Sequence, residues 1–332
     1  MKIGFEVFLA VARELSITKA AEALHVTQQC ASDHIKRLEK EFGVQLFERR
    51  PRFKLTGAGE IMLHSLQNIQ IMEANMKRSL DGISKGTQGT FTLGISTSRA
   101  PIILPHVLPR YYRDYPNINI SFNEEDTQIL EERLLSGQID LFIGVNTTPH
   151  SDFHISTVAT EEIMLVISAG LLTKNFSEEE IREMGNGIDL NRFSHIPFTL
   201  SFKTGKVNHA LQEYLNYYNV KLNVIYNISD SETQIMLCTA GICAALCPKM
   251  LLATAHRHNL SCSHENFLFM FPIKNFGRQL RIDLVSHKHA LHPQYIRHFM
   301  DIMREEIPTI ANRSYTGLEM TCHSGEAQGG AI

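Results

Sequence analysis

The 332-residue sequence has no tryptophan and no run of about 18 apolar residues, so no transmembrane helix is expected. It has no CxxC pair. Its six cysteines (Cys30, Cys238, Cys243, Cys247, Cys262, Cys322) are scattered, and in a reducing compartment such thiols are buried or idle. Catalytic signatures are missing as well: there is no GxSxG, no P-loop and no HExxH. Gly94-Ile95-Ser96-Thr97-Ser98 lacks the second glycine of a nucleophile elbow. These absences argue against an enzyme, and no cofactor is implied. Lys2 and residues 3–12 have the outline of a signal peptide, but Glu6 interrupts the apolar stretch and Arg13 and Glu14 follow at once. An amphipathic helix describes the segment better, which leaves a cytoplasmic protein with no membrane partner as the expectation.

Acidic and basic side chains nearly cancel, at a net charge of −3, but they are unevenly placed. Residues 1–58 hold ten Lys or Arg against seven acids, a net +3, so the remaining 274 residues carry −6. A basic head on an acidic body directs only the head toward a polyanion. The length accommodates more than one domain.

Three helical patterns open the chain. Phe5, Phe8, Leu9, Ala12 and Leu15 recur at helical spacing. Ser16 or Ile17 breaks the pattern, and residues 18–24 form a short second helix whose small Ala20 and Ala21 let another helix cross closely. His25 and Val26 turn the chain, and Thr27 caps a third helix. There Ala31, Ile35, Leu38 and Phe42 line one face. Gln29, Ser32, Asp33, Lys36 and Lys40 line the other, with Gln28 and Arg37 beside them, and Gly43 closes the helix. Two helices joined by a tight turn, the second polar and basic outside, match a helix-turn-helix, which reads base edges in the major groove of duplex DNA. Gln28 and Gln29 suit adenine. Arg49, Arg50, Arg52 and Lys54, four cations within six residues, then read as a wing lying on phosphates. The competing reading is a solvated face on a small helical domain.

The stretch from Phe8 to Gly59 closely resembles the LysR-type transcriptional regulators. The resemblance rests on Ser16-Ile17-Thr18-Lys19-Ala20-Ala21-Glu22-Ala23-Leu24-His25-Val26-Thr27-Gln28, on Ile35-Lys36-Arg37-Leu38-Glu39, and on Leu46-Phe47-Glu48-Arg49 with Leu55-Thr56-Gly57-Ala58-Gly59. It continues, more weakly, to about residue 305. It implies a regulator binding an inverted-repeat operator, with Thr18, Thr27, Gln28, Gln29, Ser32, Asp33, Lys36, Arg37, Arg49, Arg50, Arg52 and Lys54 toward DNA. It also implies a dimer, commonly a tetramer, and action on RNA polymerase. Two residues depart from the family pattern. Gln29 replaces a proline or small residue, and Asp33 a basic one. Asp33 either costs affinity or accepts from cytosine N4.

From residue 58 to 84 the pattern is one long helix. Met62, Ile69, Met76 and Ile83 recur every seven residues, broadened by Leu66, Met72 and Leu80. Such a repeat implies a coiled-coil partner, so Met62, Leu66, Ile69, Met76, Leu80 and Ile83 are the expected dimerisation stripe. The alternative is a core helix of the next domain. Gly82, Gly86 and Gly89 mark a hinge.

Beyond the hinge, strands and helices alternate, which indicates an α/β fold. Leu134-Leu135-Ser136-Gly137-Gln138-Ile139-Asp140-Leu141 and Ala240-Gly241-Ile242-Cys243-Ala244-Ala245-Leu246-Cys247-Pro248 resemble the family's effector-binding domain, itself similar to periplasmic binding proteins. The expected architecture is a winged helix-turn-helix (1–58), a linker helix and hinge (59–88), a two-lobed α/β effector-binding domain (89–312) and a disordered tail (313–332). Lobe I takes about 89–161 and 267–312, and lobe II about 162–266. Ligands in such folds sit beyond strand carboxyl ends and against helix N-termini. That places Ser96, Thr97, Ser98, Thr127, Gln128, Val145, Asn146, Thr199, Leu200, Ser201 and Phe202 at the cleft, where hydroxyls and N–H groups would suit a small effector's carboxylate or phosphate. A second possibility is metal or redox sensing, through His256, His258, Cys262 and His264 or through Cys243 and Cys247.

Overall fold

A computed structural model describes residues 2–48, 52–85, 89–201, 205–262, 264–277 and 279–313. Arg49, Arg50, Phe202, Gly86 and the tail beyond 313 lie outside these residues, as do the side chains of Leu80, Ile83 and His264. Among the described residues no helix is long and apolar enough to cross a membrane.

The head packs α1 (Ile3–Glu14), α2 (Ile17–Ala23) and α3 (Gln28–Phe42) around Phe8, Val11, Ala20, Ala21, Ala31, Ile35, Leu38 and Leu46. The residues that break the helical patterns also start the next helix. Ser16 Oγ accepts from the Lys19 N–H at 3.3 Å, and Thr27 Oγ1 from the Cys30 N–H at 3.2 Å. Leu15 and Phe42, both expected inside, are largely exposed. Leu15 is the left-handed cap of α1, with φ 44°, and Phe42 is the last residue of α3.

β1 (Phe47–Glu48) and β2 (Lys54–Leu55) pair antiparallel as the wing. Thr56 Oγ1 donates to the Gln45 carbonyl at 2.6 Å and accepts from the Gly59 N–H at 3.0 Å, tying the wing to α4 (Gly57–Lys85). A Cβ on Gly59 would lie 2.1 Å from the Leu46 carbonyl oxygen, so only glycine fits there. Met62 and Leu66 turn back into the head core, contrary to their expected place on the dimer stripe. The apolar residues that α4 leaves exposed are Ile61, Ile69, Met72 and Met76.

The body follows as β3 (Gly89–Ile95), α5 (Ala100–Asp114), β4 (Ile118–Glu124), α6 (Thr127–Leu135), β5 (Leu141–Val145), β6 (Phe153–Glu161) and β7 (Ile163–Ser168). Next come α7 (Ala169–Asn175), α8 (Glu178–Glu183), β8 (Pro197–Leu200), α9 (Lys206–Tyr217), β9 (Asn223–Asn227) and α10 (Ser231–Thr239). The chain ends in β10 (Ala244–Pro248), α11 (Ala253–Asn259), β11 (Leu268–Pro272), β12 (Leu280–His287) and α12 (Gln294–Ala311). Two five-stranded sheets result, ordered β4-β3-β5-β12-β6 and β11-β7-β10-β8-β9. The first carries lobe I, with β3 parallel to β4 and β5 and with β12 antiparallel between β5 and β6.

The expected division between the lobes is corrected at one strand. β11 pairs antiparallel with β7 and edges the second sheet, burying Leu268 and Met270 in one cluster with Met164 and Val166. The chain therefore returns to lobe I at β12, not near residue 267. β6, α7 and α8 were not anticipated. In β6 only the two end residues, Phe153 and Glu161, are buried, so the strand carries no clear apolar alternation.

Candidate functional site

The structure gathers the expected DNA-facing residues on one side of the head. Thr18, Thr27, Gln28, Gln29, Asp33, Lys36, Arg37, Arg52 and Lys54 are exposed, and Ser32 is half-buried. The cap on Thr27 sets the first turn of α3 outward, so the two glutamines lead the helix. Asp33 Oδ1 lies 3.8 Å from Lys36 Nζ and Glu48 Oε2 lies 3.0 Å from Lys54 Nζ. Both are exposed pairs of small energetic weight, which a phosphate can displace.

A second site lies between the two lobes, in a cleft of about 820 Å³, within the usual range for small-molecule sites. Ser96, Thr97, Ser98, Thr127, Gln128, Val145, Leu200 and Ser201 line it as expected. Ser96–Ser98 form the turn from β3 into α5, and the Ser96 carbonyl accepts from the Arg99 and Ala100 N–H groups at 3.0 Å each. Thr127 opens α6, and its Oγ1 accepts from the Val145 N–H at 3.0 Å.

Two expected residues miss the cleft. Thr199 is fully buried within β8. Asn146 adopts φ 48° and spends its side chain on β12, accepting from the Arg281 N–H at 2.9 Å. Residues that were not anticipated take their place: Arg99, Glu124, Glu125, Asp126, Lys206, His209, Asp230 and Gln234. The acids directly follow β4, where the strand-end rule that selected Thr127 could also have found them.

The charges in the cleft are largely committed. Arg133 donates to Glu125 at 2.7 Å. Asp230 caps α10 and accepts from the Thr233 hydroxyl and N–H, which hold its carboxyl below its ordinary range. Lys206, at the start of α9 in lobe II, donates to Thr148 Oγ1 at 2.6 Å and lies 3.8 Å from Glu131 of α6. This contact joins the lobes across the cleft. At the crossing between lobes, buried Arg99 pairs with buried Glu161, whose second oxygen accepts from the Met250 N–H at 2.9 Å. The adjacent Glu162 carbonyl accepts from the Lys249 N–H at 2.8 Å. Met250 is itself part of the lobe I core. One carboxylate thus joins the start of α5, the end of β6 and the turn after β10.

The sensing alternatives do not assemble. His258 Nε2 meets the Asn266 carbonyl at 3.1 Å, and the Cys262 thiol lies 3.8 Å from the Asn259 carbonyl. Among the described residues no three His, Cys, Asp or Glu side chains stand together as metal ligands. Cys243 and Cys247 are both buried, four residues apart on extended chain, a separation of about 13 Å, well beyond disulfide reach. The thiol that Cys243 meets is Cys238, at the end of α10. Their hydrogen bond raises Cys238 and lowers Cys243. Burial pushes Cys247 up to about 12.

Residues 4–60 match the family model "Bacterial regulatory helix-turn-helix protein, lysR family", and residues 84–308 match "LysR substrate binding domain". The chain is 32% identical over 233 residues to the HTH-type transcriptional activator CmpR of Synechocystis sp., covering 69% of this chain and 72% of that one. It is 26% identical over 246 residues to the HTH-type transcriptional regulator YybE of Bacillus subtilis, covering 74% and 81%. A full-length OxyR variant from Pseudomonas aeruginosa shares the fold at TM-score 0.60 and 18% identity, over 93% of this chain and 98% of that one. Full-length CbnR complexed with its target DNA does so at TM-score 0.51 and 19% identity, over 91% and 98%.

Proposed function

The chain belongs to the LysR family of DNA-binding transcription regulators that carry an effector-binding domain, and from that premise we propose how its own residues perform the task. Two heads, joined through the exposed α4 stripe of Ile61, Ile69, Met72 and Met76, bind half-sites of an inverted repeat. Gln28 and Gln29 read bases there, while Lys36, Arg37, Arg52 and Lys54 contact phosphates. Arg49 and Arg50 belong to the same wing by sequence. The working assembly is a tetramer in the cytoplasm, acting on RNA polymerase and without catalytic activity.

The observation that carries the effector reading is the cleft itself, bounded by the N-termini of α5, α6, α9 and α10. Asp230 already occupies the α10 terminus, and the lining holds Glu124, Glu125 and Asp126 against Arg99 and Lys206. A small polar effector with a single carboxylate or phosphate group, seated on the Ser96–Ser98 turn, suits this balance better than a polyanion. Its binding would compete with the Lys206 contact to Glu131 and Thr148 and so change the angle between lobes.

A thermal-shift screen of small carboxylates, phosphates and neutral polyols tests this reading. A stabilising compound should lose its effect in Ser98→Tyr, which fills the cleft. Stabilisation that survives in Ser98→Tyr would move the effector site elsewhere.

A further inference from the structure

The helix that leaves the head is fastened to lobe I at a polar point crowded with histidines. His64 of α4 sets its Nε2 against Oδ2 of Asp152, a carboxylate 5% exposed just before β6. Asn68, one turn along α4, donates to His64 Nδ1 at 3.3 Å. From lobe I, His150 Nδ1 lies 3.8 Å from the same Oδ2 and accepts from the Asp152 N–H at 3.2 Å. His287, buried at the end of β12, accepts at Nδ1 from the His289 N–H at 3.3 Å, and the two rings lie 5.8 Å apart. The Lys288 N–H donates to the Asp152 carbonyl at 2.7 Å. The charges bearing on His287 are those of Asp152, His289, His64 and His150. One carboxylate therefore faces four imidazoles.

We propose that this cluster is a proton-sensitive clasp between the linker helix and the effector domain, closed while the rings are largely neutral and released as they gain protons.

Three of the rings accept at Nδ1, so their single proton sits on Nε2, where His64 can donate to Asp152. A first added proton is accommodated at His64. Asn68 can rotate to offer its oxygen, and the imidazolium pairs with the carboxylate. Further protons have no second anion. On His150 or His287 they place an N–H against a backbone N–H donor, and every new charge repels the others. Burial is the main cause that holds His287 below the ordinary histidine value, with the neighbouring rings adding to it and Asp152 opposing. For a base whose pKa is lowered when docked, the stabilisation is complete above the free value of about 6.5 and is lost as pH falls below it. α4 runs from the wing to the effector domain, so its release would uncouple the head from lobe I.

Hydrogen exchange of the 57–72 segment in the full chain, corrected for intrinsic rates, tests this between about pH 7.5 and about pH 5.5, the range in which histidine titrates. Protection in the wild type should fall about tenfold, the consequence of a one-unit pKa difference in a single histidine between docked and released states. In His150→Gln/His289→Gln, two exposed substitutions, the fall should shrink to less than about threefold on the same scale. His64→Gln keeps a donor for Asp152, and its exchange at the higher pH should match the wild type. Unchanged wild-type protection across the range, or an equal fall in the double variant, overturns the proposal.

Discussion

Replacing Glu161 with glutamine is the perturbation whose cost can be worked out most fully. The Glu161 side chain is fully buried, and that of Arg99 is 4% exposed. The glutamine would keep one acceptor for the Met250 N–H and turn its amide NH₂ toward Arg99, setting donors against donors. A guanidinium is then left buried without its counter-charge, a loss of about 3–5 kcal/mol. For a unit of this size each kcal/mol moves the melting point by about 2–4 °C, so Glu161→Gln should lower the effector-domain transition by roughly 6–20 °C. Calorimetry of the full chain reads that transition. The control is Arg99→Met/Glu161→Gln, which removes both charges and keeps the acceptor for Met250. It should recover most of the loss, because a buried pair replaced by apolar volume is often close to neutral. If Glu161→Gln costs less than about 1 kcal/mol, below the range for a broken buried pair, or if the double variant is as unstable as the single one, the pair does not hold the lobes together.

Gln29→Ala should relax base preference at one position of each half-site by about 1–3 kcal/mol, seen as a change in the selected sequence; uniform weakening on all duplexes would remove Gln29 from base reading. Asp33→Arg frees Lys36 from its 3.8 Å partner. If Asp33 only repels phosphate, binding to operator and random DNA should gain equally and the salt slope should steepen; a fall in specificity would instead identify Asp33 as a base reader. Met76→Glu should lower the molar mass in light scattering, because the exposed α4 stripe would carry a charge into its partner; an unchanged mass counts against that interface. Gly59→Ala should destabilise the head, since its Cβ would meet the Leu46 carbonyl at 2.1 Å; a melting profile like that of the wild type would show that the wing can shift away.

The head was legible in the sequence because its signals are local. Caps, helical spacing and the small pair Ala20 and Ala21 all act within a few residues. The body was legible wherever strands are buried on both faces, as in Leu141–Val145 and Ile163–Ser168. What escaped is non-local. The pairing of β11 with β7 depends on partners about a hundred residues away. Arg99 meets Glu161 across 62 positions, and His64 meets Asp152 across 88. The seven-residue repeat of α4 was read correctly as apolar, but two of its members serve the head rather than a partner. A single helix shows its period without showing which neighbour covers each part of it.

The central claim is that this chain reads an inverted repeat as a dimer of winged heads, and selection from randomised duplexes by the full-length protein at physiological salt tests it most directly. The account predicts enrichment of two half-sites related by a dyad and separated by about one helical turn or a multiple of it. Met76→Glu should bind the same sequences more weakly and lose the fixed spacing. Enrichment of no sequence, or of a lone half-site by the wild type, would contradict it.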